Sequence, residues 1–148
     1  MCIIKPALLD LQLFSDDAVE LLAFTAAVES EGGTYLKQIE GPALGIYQME
    51  PETHNDIWQN YIKHKTDIYL MLIHNFNVNG MPHEERLMYD LRYATALARI
   101  HYSRISQPLP HHTDLIGIWN YYKKYYNTVE GAANQQRSLA AYQKFIKA

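Results

Sequence analysis

The sequence predicts a mainly α-helical single domain across residues 1–148, with a short irregular or β-like insertion after its first long helix. Three observations lead there. Apolar residues recur at helical spacing along most of the chain. Most of these runs open on a capping residue or a proline, as helix starts do. One stretch, 31–49, breaks the pattern; it is rich in Gly and Pro and holds only short β-like pieces.

The elements follow in order. The opening 1–14 is apolar but carries Lys5, Pro6 and Asp10, and it is left without an assigned helix. Residues 15–30 form an amphipathic helix: Ser15 caps it, Asp16 and Asp17 occupy its first turn, and Gly32 and Gly33 stop it. Pro51 suits a first turn, and Ile57, Trp58, Tyr61 and Ile62 keep helical spacing over 51–63. Thr66 caps a helix through Asn75 whose middle, 68–73, is nearly all apolar, which predicts burial on most sides. A turn over 77–80 precedes a long helix from Pro82 to about Ser103, lined on one face by Leu87, Leu91, Ala94 and Ala98. Pro108 and Pro110 mark a loop, Thr113 or Asp114 caps a helix through Tyr126, and 132–147 is the last helix.

Composition bounds the function. Hydrophobic content of 48% and charged content of 20% are those of an ordinary globular domain. A net charge of −3 with no basic stripe argues against a nucleic-acid partner. Cys2 is the lone cysteine, so neither an intrachain disulfide nor a thiolate metal cluster is expected. The opening segment has no small-residue cleavage site, and no apolar run reaches the length of a membrane span. The expectation is synthesis in the cytoplasm without a signal peptide and without membrane insertion.

Glu29 is the residue that points to chemistry. At about 100° per residue it falls within roughly 20° of Leu22, on the face of Ala18, Thr25 and Ala26. Glu20 and Glu31 point the opposite way, as solvated carboxylates should. Desolvation and the negative helix end both raise the proton affinity of an acid so placed. A carboxyl that stays protonated near neutral pH is what general-acid catalysis requires. A core-edge Glu paired with Lys, Arg or Tyr fits the same placement.

Around this acid the sequence reads Glu29-Ser30-Glu31-Gly32-Gly33, then Gly45-Ile46-Tyr47-Gln48, and later Tyr125-Tyr126-Asn127 before Gly131. The order resembles soluble lytic transglycosylases, which belong with goose-type lysozymes to the lysozyme-like superfamily. That pattern has Glu-Ser at a helix end, a Gly-Leu-Met-Gln-like motif, and Ala-Tyr-Asn followed by Gly. Here Tyr47 replaces Met, Tyr125 stands where Ala is usual, and the Gly is delayed. Nineteen residues separate Glu29 from Gln48, about one more than the family pattern has. The compact chain is most similar to phage-encoded members.

The resemblance implies a lysozyme-like fold and cleavage of the β-1,4 bond between N-acetylmuramic acid and N-acetylglucosamine in peptidoglycan. Glu29 would be the single acid and base, giving 1,6-anhydro products without the second carboxylate that glycoside hydrolysis commonly uses. Ser30 would support the site, Tyr47 and Gln48 would line the sugar cleft, Tyr126 would bond Glu29, and Asn127 would hold that loop. It implies no cofactor. Its partners would be peptidoglycan glycan strands, with phage virion proteins or holin-dependent release as routes to the wall.

Other readings stay open. Gln48 also fits an exposed polar residue ahead of a helix, and Tyr121, Tyr122, Tyr125 and Tyr126 fit helix-spaced packing. If Glu40, Glu50 or Asp56 positions a water opposite Glu29, the chain is a hydrolytic lysozyme (an endolysin). A virion protein that binds the wall with little cleavage, or a helical adaptor, are the non-enzymatic alternatives. Seven histidines raise a metal hypothesis, but His83-Glu84-Glu85 lacks the second His of a zinc-protease motif and His111-His112 are neighbours in a loop. No metal site is expected.

Overall fold

The computed structural model describes residues 3–31, 42–127 and 133–147. Among them every regular element is helical, and one isolated antiparallel bridge joins Leu44 to Met49. Helix α1 (Ile4–Leu11) occupies the segment for which the sequence offered no assignment. Pro6 lies within its first turn, where a missing N–H costs nothing, and Ala7, Leu8 and Leu11 bury one face.

Helix α2 (Asp16–Ser30) is the centre of the fold, packed against α1 and three later helices. Ser15 Oγ accepts from the Ala18 amide at 3.0 Å, as its position predicts. The helix ends at Glu31, which takes a left-handed conformation with φ of 51°. Its burial is wider than one stripe: Leu21, Ala23, Phe24 and Ala27 are covered along with Leu22, Thr25 and Ala26. Glu20, expected to be solvated, is covered too. Tyr142 Oη donates to it at 2.6 Å and Lys147 Nζ lies at 3.5 Å, because the last helix packs across that side.

Helix α3 (Pro51–Asn60) starts at Pro51 and tightens into a 3₁₀ turn, Ile62–His64. Helix α4 (Thr66–Asn75) runs over the predicted span, but Thr66 is its first residue and makes no side-chain cap. The expected burial on most sides does not occur. Only Leu72 is buried, while Leu70 and Ile73 are 41% and 37% exposed. Among the described residues this helix packs mainly against α1 and the 3₁₀ turn, with Tyr69 edge-on to Trp58 of α3 at 5.8 Å.

The long helix expected from Pro82 is two helices, α5 (Arg86–Tyr89) and α6 (Leu91–Ser103). Asp90 breaks it by accepting from the Tyr93 amide at 3.0 Å, the competition an Asp offers to a continuing helix. Helix α7 (Leu115–Tyr122) is capped by Asp114, whose Oδ1 accepts from the Gly117 amide at 2.9 Å. It stops short of Tyr126 as an α-helix and continues as a π-helical turn, Lys123–Asn127. Helix α8 (Gln135–Tyr142), capped by Asn134, continues likewise as Gln143–Lys147.

Much of the predicted insertion, 32–41, lies outside the described residues. Its end is a tight turn over 45–48 closed by paired bonds between Leu44 and Met49 at 2.9 and 3.0 Å. Gly45 has φ of 81°, and a Cβ there would lie 2.1 Å from the Leu87 carbonyl oxygen. Only glycine fits that approach.

Candidate active site

Glu29 lies in the last turn of α2, half-buried, with its carboxyl facing the α7 end. Tyr122 Oη donates to Glu29 Oε2. The Asn127 side chain lies close enough to the same carboxyl to favour its charged form. Asn127 Oδ1 in turn accepts from Lys123 Nζ at 2.7 Å, which leaves its amide N–H to face Glu29. Burial raises the proton affinity of Glu29 above the usual carboxylate range. The bonds from Tyr122 and Asn127, and the positive charge of Lys123, offset part of that rise. Among the described residues no Lys, Arg or His closes an ion pair with Glu29.

The acid sits beside a tyrosine cluster. Tyr102, Tyr122 and Tyr126 all feel its charge, and burial holds each of their phenols well above the ordinary range. Thr25, one turn before Glu29 on α2, donates to the Leu21 carbonyl at 2.8 Å and so accepts from Tyr102 Oη at 2.8 Å. The Tyr122 and Tyr126 rings stack at 6.1 Å. Each hydroxyl thus has an assigned partner, and none competes with Tyr122 for Glu29 Oε2.

The residues named from sequence are redistributed around this acid. Tyr126 does not bond Glu29; it donates to the Tyr47 carbonyl at 2.6 Å and ties the π turn to the 45–48 turn. The role expected of Tyr126 falls to Tyr122, one helical turn earlier. Asn127, expected only to hold the loop, also favours the charged form of the carboxyl. Tyr47 is only 2% exposed, and its hydroxyl donates to Thr95 Oγ1 at 3.0 Å because the Thr95 proton goes to the Leu91 carbonyl. A side chain so covered packs against the core and does not line a sugar cleft. Ser30 is fully buried and bonds back to the Ala26 carbonyl at 2.9 Å. Gln48 is half-buried with left-handed backbone, and its amide donates to the Gly45 carbonyl at 2.9 Å.

The proposed second carboxylates stand differently. Asp56 is held by Arg104 at 2.9 Å and by Asn60 at 2.5 Å, and both interactions keep it below the usual carboxylate range. Glu50 is exposed at the start of α3. Glu40 lies outside the described residues.

Three participants escaped the sequence reading: Tyr122, Lys123 and His101. A signal for the first was present, since Tyr122 and Tyr126 are four apart and share a helix face. His101 packs edge-on against the Tyr126 ring at 5.2 Å, and its Nδ1 accepts from Arg104 Nη2 at 2.7 Å. Burial and the adjacent guanidinium push its pKa down to about 4, so it is a neutral support behind Tyr126. Nothing in its spacing marked it.

This arrangement strengthens a carboxyl's hold on its proton and keeps the carboxylate bonded to Tyr122 once the proton has left. Comparison with protein family models, with curated proteins and with solved structures gives no match to this chain.

Proposed function

We propose that the chain is a lysozyme-like lytic transglycosylase that cleaves the MurNAc–GlcNAc β-1,4 bond of peptidoglycan with Glu29 as its only acid and base. One observation carries the reading. Glu29 is partly desolvated, accepts from the neutral Tyr122 hydroxyl and, among the described residues, closes no ion pair, so its proton affinity is raised. An ion-paired Glu would be locked as the carboxylate and could not serve as an acid.

In the proposed reaction, the Glu29 carboxyl gives its proton to the glycosidic oxygen as the bond from C1 breaks. The resulting carboxylate, held by Tyr122 and Asn127, takes the proton of the muramic C6 hydroxyl. That oxygen closes on C1 and forms the 1,6-anhydro ring, with no water consumed. The acid ends protonated, ready for another strand. Tyr126 ties the 45–48 turn, which carries Gln48, to the π turn that follows Tyr122. Action at the bacterial wall, from within a phage virion or after release at lysis, belongs to the same proposal.

Mass spectrometry of purified peptidoglycan after incubation with wild type and Glu29→Gln tests it. Anhydro-muropeptides from wild type alone are the expected result. Reducing-end products would instead mean a hydrolytic lysozyme. No products from strands of several bacteria would leave a wall-binding or structural role.

A further inference from the structure

At the opposite end of α2 from Glu29, the fold brings two adjacent histidines against an aspartate 95 residues away. Asp17 belongs to the first turn of α2, and His111 and His112 to the loop before α7. A carboxylate oxygen of Asp17 and one ring nitrogen from each histidine all lie within 4.8 Å of one another. The two imidazoles are stacked, with centroids 4.1 Å apart and planes 29° from parallel. His112 is fixed twice to one carboxylate oxygen, by its amide at 2.8 Å and by Nδ1 at 2.9 Å. His111 Nδ1 lies 2.7 Å from Thr113 Oγ1.

The geometry points to a divalent transition-metal site formed by Asp17, His111 and His112. Two imidazoles and a carboxylate are the donor set that suits Zn²⁺ and its borderline neighbours, whereas Mg²⁺ and Ca²⁺ seek oxygen alone. Asp17 Oδ1 and His112 Nδ1 already stand 2.9 Å apart, close enough to share one ion. The partial exposure of Asp17 and His112 and the exposure of His111 leave room for a water or a further ligand. The effect of the ion is to fasten the loop of 108–114 to the start of α2. Neighbouring histidines in sequence gave no sign of this, because the third donor is 95 residues away.

The test is titration of the full chain with zinc ion alone, by calorimetry and by the thermal midpoint. Wild type is expected to bind one zinc per chain and to gain in midpoint, with no response to magnesium. His111→Ala, at an exposed position, and Asp17→Asn, which can still accept from the His112 amide, are each expected to bind at least tenfold more weakly. Zinc binding by both variants that equals wild type would place the ion elsewhere and overturn the assignment. Absence of binding by wild type would overturn it as well. Neither outcome bears on the role of Glu29.

Discussion

His54 and Glu29 are both ionisable side chains taken out of water beside a tyrosine hydroxyl, and their surroundings leave them in opposite situations. His54 is fully buried. Its Nε2 lies 2.7 Å from Tyr93 Oη, its Nδ1 lies 2.8 Å from Asn55 Oδ1, and Trp58 Nε1 donates to Tyr93 at 2.8 Å. With Nδ1–H given to Asn55, Nε2 accepts from Tyr93, and every position is filled. Burial lowers the pKa of His54, so the neutral form that the network needs is also the favoured one. Glu29 is only half-buried, and there burial and bonding pull in opposite directions. The His54 network has one state and serves the core. The Glu29 network tolerates two, which is the property proton transfer demands.

The contrast can be broken most sharply at Glu29 itself. Glu29→Gln is expected to lose about 10²–10⁴-fold in wall-cleaving rate, the range for a general acid–base group. The same variant should melt no lower than wild type at pH 7. The sign follows from the raised pKa: the folded state favours the protonated acid, a benefit present at low pH and lost as pH rises through the folded pKa. Gln keeps the neutral shape, so calorimetry at pH 7 and pH 4 should show its advantage shrinking in acid. A lower midpoint at pH 7 would make the carboxylate a structural group.

Tyr122→Phe is the next largest perturbation. Loss of one bond to the reacting carboxyl should lower the rate about 10–100-fold, somewhat less than removal of an oxyanion-hole donor. Because that bond lowers the pKa of Glu29, its removal should move the corresponding limb of the pH–rate profile upward. A reduced rate with an unmoved limb would limit Tyr122 to packing. Tyr93→Phe should do the reverse, costing about 1–3 kcal/mol in urea unfolding while activity per folded chain stays unchanged. The smallest and most gradual effect is acid sensitivity. His101 and His54 both have depressed pKa values, so their contribution to stability is complete above the ordinary 6.5. For His101 it declines as pH falls from there toward about 4. Urea midpoints at pH 7, 5.5 and 4 should fall in that order, and a His101→Gln variant should fall less.

Where local chemistry decides structure, the sequence was legible. Ser15, Pro51 and Asp114 begin their helices as their side chains dictate, and Glu29 lies at the predicted helix end with its proton affinity raised. Where packing between distant segments decides, it was not. Glu20 points away from the Leu22 face of α2 but meets Tyr142 from α8, and α4 is apolar without being enclosed. Asp90 was hidden inside a convincing apolar stripe, although an Asp there can cap as readily as any at a loop edge. At the site, a motif centred on Tyr126 drew attention from Tyr122, and no spacing rule connects His101 to either.

The π turn that ends α7 makes helix type part of the site's specification. In an α-helix, residues five apart stand about 140° around the axis, too far to meet one group. Tyr122 and Asn127 are five apart, yet both reach Glu29, since the wider turn over Lys123–Asn127 brings the fifth residue back beneath the first. A π turn is equivalent to one inserted residue in an α-helix. Relaxed to a regular α-helix with its length unchanged, the segment would carry Asn127 about 140° around the axis from Tyr122 and off the acid, with every named side chain still present.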